Sequence, residues 1–359
     1  MNFSKEIIGW FAENKRDLPW RNTRNPYFIW LSEVILQQTR VAQGTAYYQK
    51  FVAHYPTVQH LAQAPETEVL KLWQGLGYYS RARNLVFTAQ YVTQELGGVF
   101  PRSYTELQKL KGVGSYTAAA IASFAYGLPH AVLDGNVYRV LSRYLGIYTP
   151  INAPEAKQEF EQWAQQLLDK NQPDLHNQAI MEFGALHCTP QKPLCHRCPL
   201  AANCQAFVQN AVEILPQKLK KAPKKNRYFN YLVLKDTENN TFFTPRAAGD
   251  IWQGLYDFLL VESTEQLLNQ AEIEDYLHQK LEVPQGSFAL KVVSEKYKHI
   301  LTHQNIFAVF WVFEVFFKIK ATNLLEICNL QAIIKLPVSR LVEVFLIEHK
   351  NSINESNTH

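Results

Sequence analysis

Four of the five cysteines of this chain lie close together, between Cys188 and Cys204. Their spacing is C-x6-C-x2-C-x5-C, with the inner pair at Cys195 and Cys198. The first residues do not have the composition of a secretion signal, and a reducing compartment keeps thiols free. A cluster of thiols this dense therefore favours metal ligation over disulfides and requires a compact local fold around the metal centre.

The spacing also bears on the kind of metal. Structural zinc sites usually combine two short C-x2-C pairs, whereas here one such pair has a lone cysteine on either side. A 4Fe-4S cluster is held by four thiolates and suits this spacing better, with zinc as the alternative. The fifth cysteine, Cys328, lies in the apolar stretch 324–330 and is expected to be a buried, unreactive thiol.

Length and composition describe an ordinary globular protein. The chain has 359 residues, of which 47% are hydrophobic and 19% charged, and this is enough for two domains with separate cores. No apolar run reaches the roughly 20 residues of a membrane helix. We therefore expect a cytoplasmic protein without a membrane partner. The net charge of +4 does not by itself indicate a nucleic-acid partner.

The first half of the chain shows the periodicity of helices. Up to Phe207, apolar residues recur every three or four positions, with glycine and proline between the segments, which predicts an all-α region. The clearest helical stretches are 7–11, 34–48, 118–126 and 160–168.

The second half has a different pattern. Residues 216–227 are rich in lysine and contain two prolines, which predicts a basic, solvated linker. Beyond it, two stretches are typical of strands, 228–234 and 305–318. Two others are typical of helices, 264–281 and 339–350. Residues 228–350 are therefore predicted to form a smaller α+β domain, followed by a polar tail at 351–359.

A glycine-containing turn, L-K-G-V-G at 110–114, lies between two helical patterns. Gly112 and Gly114 allow a tight turn that presents backbone N–H groups at the start of the next helix, where they can bind a phosphate oxygen. On its own such a turn is weak evidence, because it is more often a plain connection. Here it is followed by Ser115 and Tyr116, and then by V-L-D-G-N-V at 132–137.

These two motifs and the cysteine cluster, in this order, resemble the iron–sulfur branch of the helix-hairpin-helix DNA glycosylases. In that superfamily the hairpin grips the DNA backbone and an aspartate, here Asp134, works on the sugar. Members that also cut the strand have a lysine two residues after the second hairpin glycine, because a Schiff base requires an amine. This chain has Tyr116 there. The resemblance therefore implies a monofunctional enzyme that leaves an abasic site.

Three further segments are similar to the adenine DNA glycosylases of the MutY type, which remove adenine mispaired with 8-oxoguanine. They are L-P-W-R at 18–21, L-S-E-V-I-L-Q-Q-T-R at 31–40 and G-L-G-Y-Y-S-R at 75–81. The resemblance runs nearly continuously over 5–207. It implies a monomeric, bacterial-type enzyme associated with the nucleoid, whose partner is double-stranded DNA with A:8-oxoguanine or A:G mispairs.

The resemblance also implies how the chain divides into domains. Residues 1–215 form an all-α catalytic region, with a six-helix part at about 22–130 and an iron–sulfur part made of 1–21 and 131–207. Residues 228–350 contain G-L-Y-D-F at 254–258, which is similar to a motif of the family's C-terminal, Nudix-like domain.

This second domain is expected to recognise the lesion. The carboxylates with which Nudix hydrolases hold Mg²⁺ are missing from 262–282, so we predict recognition without hydrolysis. Residues 298–303 are similar to the family's lesion-sensing loop. Leu301 replaces its aromatic residue, while Thr302 and His303 keep its hydroxyl and imidazole.

Roles of single residues follow from the resemblance. Glu33 is the general acid, which requires a raised pKa, and Asp134 is the ionised carboxylate that stabilises an oxocarbenium-like sugar. Tyr116 and Asn136 support Asp134 and the attacking water. The adenine pocket is lined by Trp20, Arg21 and Gln178, and the DNA contacts are Gln38, Thr39, Leu76, Tyr78, Gly112 and Gly114.

Two other functions stay open at this point. One is a bifunctional, pyrimidine-excising glycosylase/lyase, against which Tyr116 speaks. The other is a non-catalytic iron–sulfur protein that uses the hairpin only to dock on DNA, against which the presence of both Glu33 and Asp134 speaks.

Overall fold

The computed structural model of the protein describes residues 2–220, 222–322 and 325–350. It divides into two compact units. The first unit contains the residues up to Ala64 together with Asn84–Lys220, and the second contains Pro65–Arg83 together with the residues after Lys220. The predicted polar tail, 351–359, lies outside the described residues.

Residues up to 208 form helices joined by short turns, as predicted. In chain order these are α1 Phe3–Asn14, α2 Pro26–Leu36, α3 Val41–His54, α4 Val58–Gln63, α5 Glu66–Trp73, α6 Ser80–Gln94, α7 Tyr104–Leu107, α8 Ser115–Tyr126, α9 Gly135–Leu145, α10 Ala156–Leu167, α11 Pro173–Leu186 and α12 Gln205–Val208. A 3-10 turn, Pro19–Arg21, lies between α1 and α2. None of the described helices is long and apolar enough to cross a membrane.

The helical periodicity of 34–48 does not correspond to continuous helix. The helix α2 ends at Leu36 and α3 begins at Val41. Between them Gln38 has a φ of 56°, and a left-handed residue cannot continue a right-handed helix. This break sets Gln38 in an exposed turn.

One apolar core supports the helices that surround the catalytic candidates. Phe3, Ile7 and Phe11 lie on one face of α1 at helical spacing and are buried in the same cluster as Phe160 of α10 and Phe183 of α11. The cluster also contains residues of α8 and α9, and Cys188 packs against it. The core therefore fixes α8, α9 and α11 relative to the cysteine loop.

The second unit contains a seven-stranded mixed sheet within the described residues. Its order is β4-β6-β1-β3-β2-β7, and β5 pairs with β6. The strands are β1 Lys225–Lys235, β2 Asn240–Pro245, β3 Tyr256–Ser263, β4 Phe288–Val293, β5 Tyr297–Ile300, β6 Gln304–Val315 and β7 Ile327–Asn329, and the helices are α13 Gln270–Lys280 and α14 Arg340–Glu348. The strand β1 runs parallel to β6 and antiparallel to β3.

Both faces of this sheet are buried. Because side chains alternate along a strand, Tyr231 of β1 packs with Phe345 of α14, whereas Leu232 packs with Ile273 of α13. A strand covered on both faces has a nearly continuous apolar sequence, as β1 does. The predicted smaller α+β domain is confirmed.

Some expected boundaries in this half are wrong. The strand β1 begins at Lys225, inside the segment predicted as linker, and Arg227 is not solvated but bonds Asp250 and Glu262. The expected helix 264–281 begins only at Gln270, where Asn269 caps it. Cys328 is half-buried in β7 rather than fully buried.

The segment Pro65–Arg83 is bonded to the C-terminal part of the second unit. Three of its side chains donate these hydrogen bonds: Lys71 to the Leu336 carbonyl at 2.9 Å, Gln74 to Glu343 at 2.8 Å and Arg83 to the Gln253 carbonyl at 2.8 Å. The segment contains α5 and the turn with Leu76 and Tyr78. This part of the helical sequence is thus stabilised by residues far along the chain.

Replacing Phe345 by alanine tests the core of the second unit. Its ring is fully buried and stacks on Phe310 with centroids 3.9 Å apart, so the cavity left behind should lower the free energy of unfolding by about 3–5 kcal/mol. Urea unfolding measures this. Ile347→Ala in the same helix is the control, because Ile347 is 66% exposed; equal losses in both variants would contradict the assigned packing.

Candidate active site

A cavity of about 550 Å³ in the first unit brings together residues that the sequence places far apart. Nine of the predicted site residues line it: Trp20, Arg21, Glu33, Gln38, Thr39, Tyr116, Asp134, Asn136 and Gln178. They come from the 3-10 turn, from α2 and the turn after it, from α8, from the start of α9 and from α11. A cavity lined by four carboxyl groups and several other polar side chains can accommodate a polar ligand.

Glu33 lies on the buried face of α2. Its side chain is shielded from water, and one carboxyl oxygen accepts a hydrogen bond of 2.5 Å from the Tyr116 hydroxyl. Burial raises the pKa of Glu33 to about 7, with a further contribution from Asp134, against the lowering effects of the Tyr116 bond and of Arg21. Glu33 can therefore hold a proton at neutral pH and donate it.

Asp134 caps the N-terminus of α9, where aspartate is a preferred residue. Its carboxylate accepts bonds from the backbone N–H groups of Asn136 and Val137, at 2.9 and 2.8 Å, and from the Asn136 amide at 2.8 Å. Burial raises the pKa of Asp134, but these bonds and Arg139 act in the opposite direction. The net effect still raises the pKa of Asp134, and the three donors and the helix N-terminus limit this rise.

Tyr116 and Asn136 face different carboxyl groups. The prediction was that both support Asp134, but the Tyr116 hydroxyl donates to Glu33, and only Asn136 donates to Asp134. The Asn136 oxygen in turn accepts a bond of 2.9 Å from Arg139, which fixes the orientation of the amide. The two carboxyl groups thus have separate hydrogen-bond partners.

Sequence reasoning missed four charged residues of this cavity, of which Arg24 and Asp174 pair with each other at 3.3 Å. Glu182 and Arg16 also line it and pair with each other at 2.7 Å. Helical spacing could have revealed Glu182, because it lies one turn after Gln178 on the same face of α11. Arg16 lies between α1 and the 3-10 turn, and no sequence signal marks it.

The hairpin glycines have different conformations. Gly112 has a φ of +80°, and a Cβ there would lie 2.8 Å from the Asn84 side chain, so only glycine fits. Gly114 precedes α8 with extended backbone, and a Cβ there would meet nothing within 4 Å. The space beside Gly114 at the start of α8 is therefore open, which leaves room for the predicted phosphate contact.

Another predicted cluster lies within the second unit. The Tyr78 hydroxyl and Thr302 are 2.6 Å apart, and both line a cavity of about 410 Å³ together with Leu301 and His303. Tyr78 is 52% exposed with a φ of 48°. Leu76, which was predicted to contact DNA, is instead buried.

Gln38 and Tyr78 share an uncommon backbone conformation. Both are non-glycine residues in the left-handed region, which costs of the order of 1–3 kcal/mol and is concentrated at functional sites. Both are also exposed polar side chains. These two residues, both predicted to contact DNA, therefore lie in strained turns.

The four clustered cysteines are free thiols and half-buried. Arg143 of α9 reaches their loop, donating to the sulfur of Cys188 at 3.4 Å and to the Thr189 carbonyl at 2.7 Å. Burial raises the pKa of Cys198 to about 12. Such a thiol becomes a thiolate only beside a strong positive charge, which a metal centre supplies.

The donor set of the loop consists of four cysteine side chains from one short segment. A 4Fe-4S cluster is held by four cysteine thiolates, so the residues present fit this group. Cys188, Cys195, Cys198 and Cys204 would hold it.

Two family models match the chain. One, described as HhH-GPD superfamily base excision DNA repair protein, matches residues 31–166, and the other, the iron-sulfur binding domain of endonuclease III, matches 188–204. The second match contains the cysteine cluster. The predicted iron–sulfur cofactor is confirmed.

Similar solved structures share the fold of the helical part. A thermostable thymine-DNA glycosylase has 31% identity and a TM-score of 0.54, covering 58% of this chain and 95% of that chain. An endonuclease III in a non-covalent DNA complex has 25% identity and a TM-score of 0.51, covering 58% and 94%. The predicted helix-hairpin-helix glycosylase fold is confirmed, and the smaller α+β domain that follows it is consistent with the predicted Nudix-like domain.

Curated relatives extend the similarity into the second half. The adenine DNA glycosylase of Homo sapiens is 47% identical over 213 residues, which are 57% of this chain but only 39% of that protein. The adenine DNA glycosylase of Buchnera aphidicola subsp. Baizongia pistaciae is 34% identical over 311 residues, 85% of this chain and 84% of that protein. The chain therefore belongs to the adenine DNA glycosylase family of base excision DNA repair enzymes.

Proposed function

We propose that the protein hydrolyses the N-glycosidic bond of adenine mispaired with 8-oxoguanine or guanine in double-stranded DNA, as a monomer and without cutting the strand. The observation that carries this proposal is the pair Glu33 and Asp134. They line one cavity. Burial favours a protonated Glu33, and three hydrogen-bond donors stabilise the ionised form of Asp134.

The chemistry requires such a pair. An adenine must first leave the base stack, at a cost of a few kcal/mol. Glu33 then gives its proton to a ring nitrogen, so that the C1′–N bond can break with its electron pair on neutral adenine. The carboxylate of Asp134 stabilises the positive sugar until water adds its hydroxide to C1′. The water's second proton returns to a carboxylate.

The cavity also supports the absence of strand cleavage. Cleavage through a Schiff base needs an amine nucleophile. None of the described residues lining the cavity is a lysine, and Tyr116 occupies the hairpin position with its hydroxyl bonded to Glu33. The same observation speaks against the bifunctional alternative, although two similar structures are a thymine-DNA glycosylase and an endonuclease III.

The second unit supports a preference for 8-oxoguanine. Tyr78, which resembles a residue that enters the stack, is hydrogen-bonded to Thr302 of the predicted lesion loop. His303 is exposed beside it and lines the same cavity. Hydroxyl and imidazole groups can read the polar edge of an oxidised base, and an aromatic ring can stack on it.

Replacing Glu33 by glutamine tests the general acid. Glutamine keeps the shape but has no proton to give, so base release should fall by about 10²–10⁴-fold while binding of the mispaired duplex persists. Single-turnover adenine release measures the rate. In the wild type the rate should fall as the pH rises above about 7, because only protonated Glu33 acts as the acid. The control is Glu13→Gln, an exposed residue of α1; a rate that increases through neutral pH would exclude Glu33 as the acid.

Borohydride reduction tests whether the enzyme is monofunctional. The wild type should give no covalent DNA adduct, because the cavity has no amine to form an imine. Tyr116→Lys supplies that amine and should give a trapped adduct, whereas Tyr116→Phe should not. An adduct with the wild-type protein would favour the bifunctional alternative.

Thr302→Ala tests lesion recognition. Loss of one hydroxyl contact should reduce the preference for 8-oxoguanine over guanine by about 1 kcal/mol, or several-fold. The ratio of single-turnover rates on A:8-oxoguanine and A:G duplexes measures it. Thr264→Ala, at an exposed threonine of the same unit, should leave the ratio unchanged; an unchanged ratio in Thr302→Ala as well would refute the role of the loop.

A further inference from the structure

Glu182 is a buried carboxylate to which the proposed mechanism assigns no step. It lies on α11 with 1% of its side chain exposed, and its two oxygens accept four hydrogen bonds of 2.7–2.9 Å. Three come from the backbone N–H, Nε and Nη2 of Arg16, and one comes from Nη2 of Arg21. An unpaired charge at such a depth would be strongly destabilising.

The bonds of Glu182 leave it no role as an acid. Burial on its own would raise its pKa, but the hydrogen bonds from Arg16 and Arg21 lower the pKa to about 2. Glu182 is therefore ionised under all physiological conditions. What it supplies to the cavity is a fixed negative charge opposite two guanidinium groups.

Arg21 is held in a single position by these contacts. One nitrogen donates to Glu182 at 2.8 Å, another donates to the Arg16 carbonyl at 3.1 Å, and the guanidinium lies over the Phe11 ring with 5.4 Å to its centroid. In this position its charge acts on Glu33 and lowers the pKa of that carboxyl. The proton on Glu33 is therefore sensitive to how well Arg21 is neutralised.

We propose that Glu182 is a positioning residue for base release: it holds Arg21 in place and neutralises Arg16 and Arg21, so that their charge does not deprotonate Glu33. This inference rests on the proposed role of Glu33 as the general acid. It assigns Arg21 and Glu182 a combined electrostatic function besides lining the pocket.

Several elements contribute charged or titratable groups near Glu33. Tyr116 of α8 donates to Glu33, Asp134 before α9 opposes its ionisation, and Arg21 of the 3-10 turn favours it. At the cavity wall Arg24 pairs with Asp174 of α11 at 3.3 Å, and both are more exposed than Glu182. Their fields are screened by water, so the Arg16–Glu182–Arg21 group is the main buried charge that substitution can alter.

The sign of the effect follows from the charges. Glu182→Gln keeps the shape and leaves both arginines uncompensated, which disfavours the proton on Glu33. The pH at which base release declines should then fall by about one unit, because an uncompensated charge that lines the same partly buried cavity changes a pKa by that order. At a pH above the midpoint of the wild-type profile, the rate of Glu182→Gln relative to the wild type should be about tenfold lower than it is at acidic pH.

Arg16→Gln is the opposite change. It removes one positive charge and leaves Glu182 bonded to Arg21, so the decline should move to higher pH. The double variant Glu182→Gln with Arg16→Gln should lie between the two single variants. Arg16 is more exposed than Glu182, so this variant tests the idea even if Glu182→Gln does not fold.

The experiment is a pH profile of single-turnover adenine release from A:8-oxoguanine duplex by the full-length, cluster-containing protein. Glu161→Gln is the control, because Glu161 pairs with Lys157 on the surface and does not line the cavity. Shifts of opposite sign in the two single variants support the proposal. A uniform rate loss with an unmoved midpoint would show that Glu182 is only structural and would overturn it. If the wild type releases no adenine, the proposed function itself is wrong, which is a distinct outcome.

Discussion

The removal of Glu33 from water is the constraint on which the rest of the catalytic unit depends. A carboxyl group that is shielded from water in this way either pairs with a cation or keeps its proton. Here the nearest polar partner is the Tyr116 hydroxyl, which can donate a bond without adding charge. Of the arginines that line the cavity, Arg16 and Arg21 are engaged with Glu182, and Arg24 pairs with Asp174. Acid chemistry at neutral pH is therefore a property of the whole wall of the cavity.

The second carboxyl group links this chemistry to the cysteine loop. Asp134 begins α9, and one and two turns further along the same helix Arg139 and Arg143 donate to carbonyls of Cys188 and Thr189. The helix is thus held at its start by the capping side chain of Asp134 and along its length by the cysteine loop. The loop that holds the cluster therefore helps to position the helix that begins beside Asp134.

Local signals predicted the architecture well, and their failures have physical causes. The helical half, the α+β half and the cysteine ligands follow from periodicity, spacing and resemblance. The start of β1 at Lys225 was missed because a composition rich in lysine and proline indicates only that a segment is solvated. Pairing with the parallel strand β6 depends on residues some eighty positions later. Arg16, Glu182 and the Tyr116–Glu33 bond were missed because burial of a charge depends on tertiary contacts. The roles of the individual site residues and the domain limits inside the helical half stay predictions.

The bonds of Lys71, Gln74 and Arg83 to residues after Lys220 affect how truncated forms of this protein should be interpreted. Cutting the chain at the basic segment would remove more than the domain that we propose to recognise the lesion. It would also remove the residues that stabilise the turn containing Tyr78. The side of α5 that these residues cover would then be exposed to water. Loss of activity in such a fragment would then reflect a distorted surface in the portion that remains, as well as the missing domain.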